Sequence, residues 1–268
     1  MPYYFKDILL SFSEAIQINR ENAELYEKKI DYLEAALDRG LEKELGIDIK
    51  KDIEEAYIKA IKFNPTNYYY HLGLGWFYTE ENRFKEAEKE LMKSQSLYPI
   101  EFNVYLYLAK YYLKLGRKEG VVGVEEEIFK TLLRAINIIK YGRERNMWAQ
   151  MKRMIKEVPT ISWDERKGEL KYIAELGADR FDFKQRKFPH DKIPLTIRLY
   201  IKDPVQEVAL YKRDIRFQSF RKIKITPEYN VYEVKLDYFP NDTYLDDLRI
   251  ETNPAIIINK IEIVKSFK

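Results

Sequence analysis

Cysteine is absent from this chain, and histidine occurs only twice, at His71 and His190. No disulfide and no thiolate metal site can form. The two histidines are far apart and show no H-x3-H or H-E-x2-H spacing, so no transition-metal site is expected. Long apolar runs are also lacking. Nothing approaches the roughly eighteen residues that a bilayer-spanning helix needs, and the opening MPYYFKDILL has neither the basic start nor the apolar stretch of a signal peptide. A soluble chain is expected. Glycine is scarce, at 10 of 268 residues, and none of it builds G-x4-G-K-[ST]. The G-x-G at Gly73 and Gly75 has no third glycine and no preceding strand, so no phosphate loop, and no cofactor, is expected. A G-x-S-x-G nucleophile elbow is missing too.

Charge of one sign is likewise in short supply. The formal net charge is +3, too small to argue for nucleic acid as a partner. Residues up to 146 hold 23 Lys and Arg against 25 Asp and Glu, which leaves the basic excess in the C-terminal half, where it permits an anionic ligand. What is present is ordinary for a globular chain of one or two domains: 34% charged and 46% hydrophobic residues. Abundant Lys and Glu without any Cys suggests a thermophilic source. Tyrosine is unusually common, with 22 residues.

The most informative stretch is PTNYYYHLGLGWFYTEENRFKEAEKELMKSQSLYP, from Pro65 to Pro99, which reads as one helix–turn–helix unit. Leu74, Gly75 and Tyr78 recur as Leu108, Ala109 and Tyr112, each 34 residues on, and the two prolines are separated by the same 34. Leu74, Gly75, Tyr78, Ala87, Leu91 and Pro99, with His71 and Ser94 at further pattern positions, resemble the tetratricopeptide repeat. Gly75 and Ala87 are the small residues that let two antiparallel helices cross closely.

Other helical periodicity flanks this unit. Ile8, Leu9, Phe12, Ala15 and Ile16 mark a first helix, read as the second helix of a partial repeat. Leu25, Ile30, Leu33 and Leu37 mark another, which ends near Gly40. An irregular link, LEKELGIDIK, precedes its partner helix with Ala56 and Ala60 and the terminator Pro65. After the central unit, FNVYLYLAKYYLKLG ends on Gly116. An insertion, GRKEGVVGVEEE, then precedes a helix through Ile128, Leu132 and Ala135. That makes about three repeats plus a partial one. Helical spacing continues from Met147, Trp148, Met151, Met154 and Ile155 to Leu170, Ile173 and Leu176, which reads as a capping pair around Pro159 and Trp163. Both tryptophans read as packing residues.

Beyond about Lys184 the period falls to two. IPLTIRLYIK, EVALYKR, IRFQSFRKIKI, YNVYEVKLDYF, YLDDLRIE and AIIINKIEIVK are short, β-branched and aromatic, with turn signals between them. The expected fold is therefore α then β in two domains: a helical-repeat solenoid with capping helices over 1–183, and an antiparallel β-sandwich over 184–268. The ending, with Leu248, Arg249 and Ile250 and then I-x-I-x-x-I-x-I, is similar to the last strands of jelly-roll modules on bacterial surface-polysaccharide proteins. Glu251 and Thr252 stand where those modules carry Asp-Pro. The combination of repeat and sandwich resembles the soluble C-terminal tails of O-antigen ligase or polymerase-type membrane proteins.

These resemblances carry the functional expectations. In the repeat family the first helix of each unit lines a concave groove for a peptide or helix. Matching positions here are Tyr69, Leu72, Trp76, Thr79 and Glu80, joined by Asn103, Leu106, Lys110 and Lys114. Aromatics beside lysines suit a partner with apolar and acidic groups. Carboxylates mostly fall beside Lys or Arg at helical spacing, as a solvated surface does, and no acid–base pair assembles, so no enzyme is expected. The cluster Asp242, Asp246 and Asp247 beside Tyr244 could hold calcium or sugar hydroxyls, or serve a glycan-active site if two carboxyls faced each other across a cleft. A ligase-like origin implies a polysaccharide partner, tethering to a membrane protein and an extracytoplasmic envelope location. Otherwise the cytoplasm is expected.

Overall fold

In the computed structural model, which describes residues 2–121, 123–140, 145–178, 180–182, 186, 195–202, 207–212, 215–217, 221–225, 228–235, 248–253 and 258–266, the chain divides into two compact units. The first spans Met1–Gly120 and the second Val121–Lys268.

The first unit contains α1 (Pro2–Ile18), α2 (Ala23–Leu37), the single turn α3 (Glu42–Leu45) inside the irregular link, α4 (Ile49–Phe63), α5 (Tyr68–Glu80), α6 (Phe84–Leu97) and α7 (Phe102–Glu119). Polar side chains start four of these helices. Asn22, Asp48, Asn67 and Glu101 each accept a hydrogen bond from an amide in the following first turn, satisfying a donor that helix geometry leaves without a partner. Pro65 and Pro99 lie in the turns after α4 and α6, where their missing amides cost nothing. At the other end, α7 runs past Gly116 to Glu119, and Gly120 closes it in the left-handed region at φ 63.

Helix α2 packs on α4 and α5 packs on α6 as helical hairpins, while α5 also lies beside α7. The α5–α6 turn is made by Asn82 at φ 59, a conformation that asparagine tolerates better than most residues. A Cβ added at Gly75 would come within 2.8 Å of Leu91 Cγ, so the close crossing expected there is real. Ala56, Ala60, Ala87 and Leu91 are buried around the crossings. One bond repeats along the first unit. His71 Nε2 donates to the Pro65 carbonyl at 3.1 Å and the Tyr105 hydroxyl to that of Pro99 at 2.6 Å, and Tyr26 does the same to Arg20 at 3.0 Å. His71 is a packed histidine. Its Nδ1 lies 2.7 Å from Glu90, and that bond holds the Glu90 carboxyl below the ordinary carboxylate range.

The second unit begins with α8 (Val124–Lys140) and α9 (Arg145–Lys156) and continues into strands β1 (Ile161–Asp164), β2 (Glu169–Ala178), β3 (Arg180–Asp182), β4 (Leu195–Ile201), β5 (Glu207–Lys212), β6 (Ile215–Phe217), β7 (Arg221–Ile225), β8 (Asn230–Lys235), β9 (Leu248–Asn253) and β10 (Ile258–Ser266). Helix α8, expected as the second helix of a third repeat, groups with the second unit. One sequence expectation is corrected here: the stretch from Asp164 onward, expected as a capping helix, holds the end of β1 and the whole of β2. Leu170, Ile173 and Leu176 do fall at helical spacing, but Leu170 and Tyr172 alternate into the core, and β2 is paired on both edges, with β1 and β10. Asp164 accepts from the Arg166 and Lys167 amides and Gly168 sits at φ 65, which makes the tight β1–β2 turn.

All strand pairs are antiparallel, in a six-stranded sheet of order β1-β2-β10-β4-β8-β7 and a four-stranded sheet of order β3-β9-β5-β6. The expected strand IRFQSFRKIKI is two strands, β6 and β7, in different sheets. In the six-stranded sheet, Tyr172, Ile263 and Ile197 stand in register on one face and are all buried. Glu262, Arg198 and Glu233 stand in register on the other, as the two-residue alternation of strands requires. Phe129 of α8, fully buried, stacks on Tyr172 at 5.1 Å between ring centroids, so this helix covers the apolar face at β2.

Phe129→Ala should cost about 3–5 kcal/mol. Hydrogen exchange will locate the loss: amides of β2 and β10 should lose protection while those of α5 and α6 keep theirs. Uniform loss across both sets would contradict the division into two units.

Candidate functional site

Helices α5 and α7 present equivalent stripes. Tyr69, Gly73, Trp76 and Glu80 lie at i, i+4, i+7 and i+11 on α5, and Asn103, Tyr107, Lys110 and Lys114 follow 34 residues later on α7. Of the expected groove residues, Tyr69, Glu80 and Asn103 are exposed and Trp76, Lys110 and Lys114 half-buried. Leu72, Thr79 and Leu106 are not on this surface. They are at most 3% exposed, because they sit one residue off the stripe, about 100° round the helix, and face neighbouring helices. The Thr79 hydroxyl donates to its own helix at the Gly75 carbonyl, 2.8 Å away.

The lysines are already engaged. Lys110 Nζ lies 5.2 Å from the Trp76 ring centroid and 4.9 Å from that of Tyr107, a cation–π arrangement. The Trp76 and Tyr107 rings are themselves 5.0 Å apart. Lys114 Nζ donates to the Glu80 carbonyl at 3.0 Å and pairs with its carboxylate at 3.2 Å.

The third side of the site is α2, which the sequence pattern did not single out. Tyr70 of α5 donates to Glu27 at 2.8 Å, and Tyr57 of α4 donates to Glu34 at 3.0 Å. Tyr57 reaches Glu34 only because residue 73 is glycine. A Cβ there would stand 2.4 Å from the Tyr57 hydroxyl. A glycine inside a helix costs about 1 kcal/mol relative to alanine, and that cost was the signal in the sequence that another group passes close by.

The electrostatics follow from crowding carboxylates among tyrosines. Burial and then the neighbouring Glu27 raise the Asp31 carboxyl above its ordinary value. Burial raises Glu34, with Asp31 and Asp38 adding to it and the Tyr57 bond opposing. Burial and Asp31 raise the Tyr69 phenol, and burial and Glu34 raise that of Tyr107. The Tyr70 phenol, by burial and its bond to Glu27, is pushed up to about 12. Among the described residues no ion pair joins Glu27, Asp31 or Glu34 to a base. Asp31 and Glu34, though exposed, thus hold their charge less favourably than free carboxylates do.

A second polar cluster lies on the six-stranded sheet. Arg198 donates to Glu233 at 2.9 Å and to Glu262 at 2.8 Å, and Tyr200 donates to Glu262 at 2.7 Å. Glu262 is 5% exposed and each of its oxygens has a partner, so this cluster fastens β4, β8 and β10 together. Asp242, Tyr244, Asp246, Asp247 and His190 lie outside the described residues. Among the described residues no group of three His, Asp or Glu side chains is placed to hold a metal ion, and no helix is long and apolar enough to cross a membrane.

No protein-family model and no curated protein matches the chain. Among solved structures, it is similar to the tetratricopeptide domain of OM64 from Arabidopsis, with 19% identity over 52% of this chain and 98% of that one, at a TM-score of 0.38. It is also similar to MamA, with 14% identity over 57% of this chain and 86% of that one, at 0.37. A further MamA structure shows 18% identity over 52% and 87% of the two chains, at 0.33.

The raised Glu34 carboxyl gives a pH test. A folded-state value above the unfolded one means stability that is present in acid and lost as pH rises through the raised value. Glu34→Gln keeps an acceptor for Tyr57 and removes the charge. It should raise the urea midpoint near neutral pH and leave it unchanged below the ordinary glutamate range. A lower midpoint at neutral pH would show that the ionised group is net stabilising.

Proposed function

We propose that the N-terminal unit is a tetratricopeptide array acting as a non-catalytic protein–protein interaction scaffold, with a partner peptide or helix lying against α2, α5 and α7. The observation that carries this is the stripe Tyr69–Gly73–Trp76–Glu80 and its counterpart Asn103–Tyr107–Lys110–Lys114 on the neighbouring first helix. Two adjacent helices whose equivalent stripes bring the aromatics Tyr69, Trp76 and Tyr107 within reach of solvent make a surface that buries a side chain well, and aromatic anchors dominate binding energy at such surfaces. Peptides selected from a displayed library against the whole chain should bind saturably. Trp76→Ala should weaken them roughly tenfold or more. Binders indifferent to both Trp76→Ala and Tyr69→Ala would place recognition elsewhere.

We propose further that the two sheets of the second unit form a jelly-roll sandwich. Support comes from the chain's alternation between sheets: β2, β4, β8 and β10 lie in one, and β3, β5, β6 and β9 in the other. The four strands β2-β10-β4-β8 and the four strands β3-β9-β5-β6 stand in the order that two interlocked Greek keys produce. This order, with the Leu248–Arg249–Ile250 ending, is what supports the glycan-binding alternative and a role as an accessory region of a ligase-like envelope protein. A glycan array probed with the full chain, with and without calcium, should then show saturable binding that Tyr244→Ala or Asp246→Ala weakens. Clean absence of binding by the folded chain would leave the sheets a structural or protein-docking part.

A further inference from the structure

The lysines on α7 led the sequence to suggest an acidic partner, and the geometry reverses that sign. Lys114 is held by Glu80 through both its carbonyl and its carboxylate, and Lys110 is drawn over the rings of Trp76 and Tyr107. Carboxylates outside any ion pair among the described residues stand on the α2 side, where Glu27, Asp31 and Glu34 meet the tyrosines of α4, α5 and α7. We infer that the groove recognises a basic protein segment, seating a lysine or arginine side chain between the Asp31 and Glu34 carboxylates and the rings of Tyr69 and Tyr107.

This rests on the groove reading above and names the chemistry of its partner. Three observations bear on it. Tyr57 and Tyr70 occupy one oxygen each of Glu34 and Glu27 from beneath, which orients those carboxylates while leaving the other oxygens to accept from a guanidinium or ammonium. Tyr69 stands beside them and is 46% exposed, so an aromatic face is open to an incoming cation. The pose of Lys110 shows that the adjacent aromatic pair already accepts an ammonium from the chain itself. An acidic segment would instead meet Asp31 and Glu34 as like charges, an arrangement that costs binding.

Two fluorescein-labelled peptides of equal length and leucine content, one carrying arginines and the other glutamates at the same places, test this by anisotropy with the full chain. The arginine peptide should bind at least about tenfold more tightly, weaken as salt is raised, and lose roughly tenfold in affinity to Asp31→Asn/Glu34→Gln. That double variant keeps the side-chain shapes, and its circular dichroism and melting profile establish that it folds. Preference for the glutamate peptide, equal binding, or no binding of either peptide overturns the inference. Loss with Trp76→Ala but not with Asp31→Asn/Glu34→Gln overturns the basic partner and leaves the groove reading standing. Tight arginine-peptide binding untouched by either variant overturns both. Concentration-dependent self-association that the double variant abolishes would make a second copy of the chain the occupant, and would overturn a separate basic partner.

Discussion

The approach of side chains to the backbone of α5 is the constraint on which the first unit depends. At Gly75 the body of Leu91 comes in from α6, and at Gly73 the ring of Tyr57 comes in from α4. Neither fits if residue 73 or 75 carries a Cβ, since both contacts would fall below 3.0 Å. The two glycines therefore do different work on opposite sides of one helix. Gly75 sets the spacing within a hairpin. Gly73 lets a phenol from one hairpin pass under the next and reach a carboxylate on α2, so it links packing to the charge of the exposed surface.

That link fixes where the carboxylates of the α2 surface stand. A carboxylate that accepts a hydrogen bond from a buried tyrosine is fixed in position but not neutralised. Glu27 and Glu34 are held in this way, and Asp31 stands between them on the same helix face. Lys114 of α7 is engaged by Glu80, and Lys110 lies over two aromatic rings. Counting charges along the chain cannot show this. A lysine's availability depends on what lies within a few ångströms, which the repeat pattern does not encode.

In the second unit, β10 is the organising strand. It is paired along its length with β2 on one edge and β4 on the other, and it carries Ile261 and Ile263 into the apolar face while Glu262 gathers Arg198 and Tyr200 on the opposite face. The polar cluster raises the Tyr200 phenol to about 12, through burial first and the Glu262 bond second. A buried carboxylate with both oxygens satisfied ties neighbouring strands to one register, because a slip of one residue would turn it into the apolar face.

Local physics made much of this architecture legible in the sequence. Helix positions from Pro2 to Leu97 follow from apolar periodicity, capping residues and prolines, all of which act over a few residues. The small residues Gly75 and Ala87, the packed His71 and the strands from Leu195 onward were readable for the same reason. What the sequence could not decide was set by partners distant along the chain. The segment Glu169–Ala178 has helical spacing and becomes a strand because β10, some ninety residues later, pairs with it; tertiary pairing outweighs weak local preference. Helix α8 carries the apolar stripe of a repeat helix, and Phe129 spends it on Tyr172 instead. Leu72, Thr79 and Leu106 differ from their more exposed neighbours by one step around a helix, and only the packed neighbours determine which side of that step meets solvent. The carboxylates Asp31 and Glu34 read in the sequence as ordinary surface charge, and only the fold brings tyrosines from three other helices beside them.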